Sequence, residues 1–131
     1  MIIETFRFNG LLLAAGDGLT KELGLSSALW QVLGAVDEAP LPLAQIARNM
    51  GLTRQSVRRT ANVLKDRGFI RFEENPNHKR AKLVVLTPEG RSVLDRVTRI
   101  QIEWSNRIAK DLEPKEIQQA LKVMQALGGL L

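Results

Sequence analysis

The chain has 131 residues, 44% of them apolar, and carries a formal charge of +5. That length suits one domain, and the apolar share suits a packed core rather than a disordered chain. No apolar run approaches the roughly 20 residues that span a bilayer, and one histidine with no cysteine excludes a disulfide frame and leaves almost no material for a zinc or copper site.

The opening Met1-Ile2-Ile3-Glu4 lacks the basic flank and cleavage site of a secretory signal, so the chain is expected in the cytoplasm. From Met1 to about Glu22 the apolar residues Ile2, Ile3, Phe6, Leu11, Leu12, Leu13 and Leu19 predict a helix. Gly10, Gly16 and Gly18 weaken it, at roughly 1 kcal/mol each, and predict a kink or break near Gly16. Gly24-Leu25-Ser26 supplies a stop and a new N-cap. Leu29, Trp30, Val32, Leu33 and Val36 then predict a second helix over 27–37, closed by Pro40 and Pro42. Leu43, Ile46, Ala47 and Met50 mark a short third helix ended by Gly51. Thr53 is the N-cap of a fourth, running to about Arg67 and ended by Gly68.

After Gly68 the pattern changes. Phe69–Glu73 and Lys82–Leu86 are β-like runs separated by Glu74-Asn75-Pro76-Asn77-His78-Lys79-Arg80-Ala81, a turn-forming segment, so a β-hairpin is expected. Thr87 caps a long helix with Pro88 in its first turn. Its apolar positions Val93, Val97, Ile100, Trp104 and Ile108 repeat at three and four residues. Glu113-Pro114 interrupts, and a last helix carries Ile117, Leu121, Met124, Leu127 and Leu131. The expected fold is therefore mainly α with a small β-hairpin wing (α+β), a single domain over 1–131. A winged helix-turn-helix lobe occupies about 26–87, flanked by helical regions 1–23 and 88–131.

Charge is concentrated in this lobe. Between Thr53 and Lys82 nine Lys or Arg face three Asp or Glu, a net +6, while the remainder holds ten against eleven, a net −1. Such asymmetry marks a surface that meets a polyanion. A solvated basic face accounts equally well for the charge alone. The fourth helix separates the two readings. Val57, Ala61 and Leu64 stand at i, i+4 and i+7, so they stack into one narrow stripe that defines the buried side. On the same helical wheel Asn62, Gln55 and Arg59 fall opposite that stripe and point outward, with Arg58 and Ser56 on the two flanks. Arg, Gln and Asn make directed hydrogen bonds to base edges in the major groove. Thr53 and Arg54, at the helix's positive end, suit phosphate oxygens. The hairpin cations Lys79, Arg80 and Lys82 suit the phosphates of the DNA backbone.

Several residue groups resemble the MarR family, the multiple-antibiotic-resistance type of regulator. They are Gly24-Leu25-Ser26 with Trp30, Val32 and Leu33; Leu43-Ala44-Gln45-Ile46-Ala47; Thr53-Arg54-Gln55-Ser56-Val57 with Leu64; Arg67-Gly68-Phe69-Ile70; and Arg80-Ala81-Lys82 with Leu86-Thr87-Pro88-Glu89-Gly90. The resemblance runs from about Gly24 to Val97 and is most specific from Gln55 to Gly90. It implies a homodimeric transcription factor, most often a repressor, with a recognition helix in each major groove and a wing in each flanking minor groove. It also implies a small-molecule effector of unassigned identity, since members often bind aromatic or phenolic compounds between the dimer helices and the DNA-binding lobe. One position departs from the family pattern. Members commonly carry an Asp two residues before the wing arginine and use it to orient that arginine; here the arginine is Arg80 and the Asp position is His78. Arg80 is therefore expected to be held less firmly, or by a group such as a backbone carbonyl, with His78 a solvated loop residue.

The terminal helices carry more apolar surface than one winged-helix core needs. Ile3, Phe6, Leu12, Ile117, Leu121, Met124, Leu127 and Leu131 are expected in a dimer interface, the alternative being helices that close back on their own domain. The resemblance implies that these helices intertwine between two copies.

No enzymatic reading has a residue to rest on. Gly16-Asp17-Gly18 is helix punctuation rather than a phosphate loop, Asp37-Glu38 is a solvated turn, and no Ser or Thr has a histidine nearby. Trp30 and Trp104 are read as core or interface residues, with a ligand pocket the alternative. No catalytic residue, cofactor or metal is expected, and no membrane partner. The rival function is a winged helix that serves as a protein-interaction module or a non-specific architectural DNA binder. The basic hairpin argues against the first, and His78 leaves room for the second.

Overall fold

A computed structural model describes residues 1–131. The elements run α1 (Ile2–Thr20), a 3-10 turn (Lys21–Leu23), α2 (Ser27–Ala35), β1 (Leu41–Pro42), α3 (Leu43–Met50), α4 (Arg54–Asp66), β2 (Ile70–Glu73), β3 (Leu83–Leu86), α5 (Pro88–Ile108) and α6 (Pro114–Leu130). The chain divides into two compact units, Met1–Ile100 and Gln101–Leu131. No helix is long and apolar enough to cross a membrane.

In the first unit, α1 runs unbroken through Gly16, so the break expected there is absent. Gly16 is buried, and a Cβ there would overlap Ser27 Oγ. The missing side chain lets two helices approach, and that packing outweighs the poor helix propensity of glycine. The same junction is hydrogen-bonded. Asp17 Oδ1 accepts from the Ser27 N–H at 2.7 Å, and Ser27 Oγ donates to the Leu13 carbonyl at 2.6 Å. Ser26, as expected, caps α2 by accepting from the Leu29 N–H at 3.3 Å. The helix closes at Ala35, short of its expected end at Asp37.

Gly24, Gly51 and Gly68 all have positive φ, so each stop read from the sequence is a glycine in the left-handed conformation. The core gathers around α4: Val57, Ala61 and Leu64 are fully buried against Val32 and Leu33 of α2, Ile46 of α3 and Val84 of β3. Val93, Leu94 and Val97 of α5 join it.

The hairpin is one part of a three-stranded antiparallel sheet in the order β1-β3-β2. β2 pairs with β3 from Ile70 opposite Leu86 to Glu73 opposite Leu83, and the two strands are shorter than the runs that predicted them. β1 adds Leu41 opposite Val84 and Pro42 opposite Leu83. Read as punctuation in the sequence, Pro42 is an edge-strand residue and the N-cap of α3. An edge position suits a residue with no N–H for a ladder. Thr87 caps α5 as expected, accepting from the Gly90 N–H at 3.0 Å.

In the second unit, α6 opens with a reciprocal capping box between Glu113 and Glu116. None of its residues is buried.

Candidate nucleic-acid interface

The geometry of α4 follows from its cap and its buried stripe. Thr53 has extended backbone angles and its Oγ1 accepts from the Ser56 N–H at 3.1 Å, which fixes the first turn. With Val57, Thr60, Ala61 and Leu64 turned inward, Thr53, Arg54, Gln55, Arg58, Arg59 and Asn62 are exposed, and Ser56 is half-buried.

The outward residues divide between the two flanks of the helix. Arg54, Arg58 and Asn62 share a groove of about 440 Å³ with Arg80 and Lys82 of the hairpin, floored by Pro42, Leu43 and Phe72. Thr53, Gln55, Ser56 and Arg59 line a second depression of about 360 Å³. Lys79 lines neither and stands exposed on the hairpin turn. Residues as distant in sequence as Arg54 and Lys82 thus meet in one cationic, partly apolar trough.

Most of these cations are free of acids. Arg54, Arg58, Arg59, Lys79 and Arg80 form no ion pair, whereas Lys82 lies 3.8 Å from Glu74 and Arg71 pairs with Glu73 at 2.7 Å. The Arg80 side chain has no hydrogen-bond partner, so no backbone carbonyl takes over the orienting role expected of an Asp. The turn itself is held by its own backbone and Asn75. The His78 N–H donates to the Asn75 carbonyl at 3.1 Å, the Ala81 N–H donates to the His78 carbonyl at 3.1 Å, and Asn75 Oδ1 accepts from the Asn77 N–H at 3.0 Å. His78 is exposed, in line with its reading as a loop residue.

Two parts of the surface escaped the sequence. Pro42, Leu43 and Phe72 shape the groove because β1 brings the start of α3 to the wing, and a strand as short as Leu41–Pro42 has no readable alternation. On α3, Arg48 donates to Gln45 Oε1 and Gln45 Nε2 donates to Asn49 Oδ1, both at 2.6 Å, forming an exposed polar row on the first helix of the helix-turn-helix. Its signal was i, i+3 and i+4 spacing of long polar residues.

Trp30 is half-buried against the core of the first unit, and Trp104 is half-buried in the second. The residues expected at a dimer interface are all exposed, from Leu127 at 41% to Leu131 at the chain end.

Two helices joined by a tight turn, followed at once by a β-hairpin with a basic loop, define a winged helix-turn-helix. Comparison with known proteins narrows this. A family model described as "MarR family" matches residues 23–81. An uncharacterized protein, Rv2011c, of Mycobacterium tuberculosis is 36% identical over 118 residues, covering 90% of this chain and 82% of the relative. The HTH-type transcriptional regulator TcaR of Staphylococcus aureus is 26% identical over 113 residues, covering 84% of this chain and 74% of TcaR. Among solved structures, CouR of Rhodococcus jostii RHA1, bound to p-coumaroyl-CoA, shares the fold. Its TM-score is 0.85 at 22% identity, covering 93% of this chain and 87% of CouR. The chain belongs to the MarR family of DNA-binding transcriptional regulators.

Proposed function

We propose that the chain is a sequence-specific repressor that works in the cytoplasm as a homodimer on a pseudo-palindromic operator. The observation that carries the base-reading role is the outward face of α4, where Gln55, Arg59 and Asn62 are exposed and the arginines next to them have no acidic partner. In this reading Gln55, Ser56, Arg58, Arg59 and Asn62 meet base edges and nearby phosphates in the major groove. Thr53 and Arg54 anchor the helix end on the backbone, and Lys79, Arg80 and Lys82 carry the wing along the backbone into the minor groove.

The dimer reading is supported by apolar surface. Ile3 and Phe6 are 77% and 69% exposed, and Ile117, Leu121, Met124 and Leu127 lie on a helix with no buried residue. Leaving that surface in water is unfavourable by about 25 cal/mol per Å², and exposed apolar patches of this kind mark association sites. The lobe at 26–87 then serves as the DNA-binding head, and residues 1–23 and 88–131 join two copies. A small-molecule effector fits the same reading, and the p-coumaroyl-CoA held by CouR illustrates the class.

Two symmetric heads require half-sites about one helical turn apart, roughly 10 bp. A mobility-shift titration on the DNA upstream of the protein's own gene, with random competitor at about 150 mM salt, tests this. The expected result is two chains per duplex and retention in the presence of competitor. One chain per duplex, or equal affinity for random DNA, would overturn the proposal.

A further inference from the structure

The recognition helix α4 runs out into Arg67, Gly68 and Phe69, each tied to an element outside the helix-turn-helix. The Arg67 guanidinium donates to the carbonyl of Gly24, the left-handed cap between α1 and α2. Thr87 Oγ1 donates to the Gly68 carbonyl at 2.5 Å, and the Thr87 N–H donates to the Phe69 carbonyl at 3.1 Å. Gly90, in the first turn of α5, packs directly on that Phe69 carbonyl. The α1 side is equally firm, since Asp17 and Leu13 bind the start of α2 through Ser27. The C-terminal end of α4 is therefore tied both to the α1–α2 connection and to the start of α5 through hydrogen bonds and backbone contact.

Arg67 differs from the other ties. It is exposed, it has no ion-pair partner, and its bond to Gly24 spans 43 residues of sequence. Its side chain lies outside the core, and removing it cuts the direct link between the end of α4 and the connection from α1 to α2.

We infer that Arg67 is a positioning residue that fixes the end of α4 against the α1–α2 connection at Gly24, and thereby sets the half-site separation the protein accepts. The inference rests on the dimeric-operator reading above. Its competitor is a plain phosphate contact, since Arg67 lies in the basic stretch. The two differ in what they change. A phosphate contact weakens binding to every duplex and lowers the salt slope by about one. A positioning residue changes which separation is preferred.

The test uses the full chain and an operator selected from a random duplex library, remade with the half-sites one base pair closer and one base pair farther apart. Wild type is expected to favour the selected separation. Arg67→Ala is expected to lose about fivefold of that discrimination, the loss of one hydrogen bond, with an unchanged salt slope. Arg67→Lys, which can still donate to the Gly24 carbonyl, is expected to recover most of it. Should Arg67→Ala fail to fold, Arg67→Met keeps the aliphatic stem, removes the donor to Gly24 and carries the same expectation. An Arg67→Ala protein as spacing-selective as wild type, or one with its salt slope reduced by one, overturns the inference and leaves the dimeric reading standing. A wild type indifferent to separation overturns both.

Discussion

Gly90 sits so close to Phe69 that a Cβ at position 90 would overlap the Phe69 carbonyl oxygen and stand 2.8 Å from its carbon. The obstruction is backbone, and the same carbonyl already accepts the Thr87 N–H. It cannot rotate aside, so any side chain at position 90 must push α5 off the lobe. Gly90→Ala is expected to destabilise the protein by about 3 kcal/mol, the upper part of the range for overpacking. Gly16→Ala offers the contrast. There the obstructing atom is the Ser27 hydroxyl, which can swing away at the loss of its bond to Leu13. The gain of about 1 kcal/mol in helix propensity offsets most of that loss. Urea unfolding of the two variants checks the contrast, and equal effects would contradict it.

The wing variants should separate by their partners. Lys79 and Arg80 face no acid, whereas Lys82 has Glu74 at 3.8 Å. Lys79→Ala and Arg80→Ala are each expected to weaken operator and random DNA alike and to lower the slope of log affinity against log salt by about one. Lys82→Ala is expected to do the same to a smaller degree. Fluorescence anisotropy over a salt series measures all three. A loss confined to the operator would reassign the residue to base reading.

Thr53 has two roles that substitution can divide. Its Oγ1 caps α4 through the Ser56 N–H. Thr53→Ala is expected to cost about 1 kcal/mol of stability, and Thr53→Ser to retain it. Thermal unfolding of both, beside their DNA affinity, shows whether the hydroxyl is needed beyond the cap.

Self-association should depend on α6. Leu121 and Leu127 are 54% and 41% exposed, on a helix with no buried face. In a two-fold interface each substitution is counted twice. Leu121→Asp is therefore expected to weaken dimerisation by at least about a hundredfold, from about 1.5 kcal/mol or more of lost burial per copy. Sedimentation equilibrium reads this directly. A wild type that sediments as a monomer, or an unaffected Leu121→Asp, would contradict it.

What the sequence disclosed was local. α4 was legible because its cap and its stop, Thr53 and Gly68, bracket its own stripe of Val57, Ala61 and Leu64. The wheel drawn from that stripe places Gln55, Arg59 and Asn62 outward, where the fold has them. Gly16 was misread because its cost belongs to an isolated helix, while its benefit depends on Ser27, which reaches it only after the chain reverses. Asp17 as a second cap on α2, Pro42 as an edge strand and Phe72 as groove floor were illegible for the same reason. Each takes its meaning from a partner distant in sequence, and no periodicity encodes such a partner. Arg67 and Gly24 are the longest such case at α4, 43 residues apart.

The central claim is that the outward side of α4 discriminates between bases rather than merely holding a polyanion. Arg59 tests it most directly, being exposed, unpaired and lodged beside Gln55 on the flank of α4 away from the wing. Equilibrium binding of wild type and Arg59→Ala is measured on the operator and on a random duplex of equal length, at one salt concentration. The expected result is a loss of about 1–3 kcal/mol on the operator and little change on the random duplex. Equal losses on both would mean that Arg59 senses only charge, and the base-reading role of this face would be wrong.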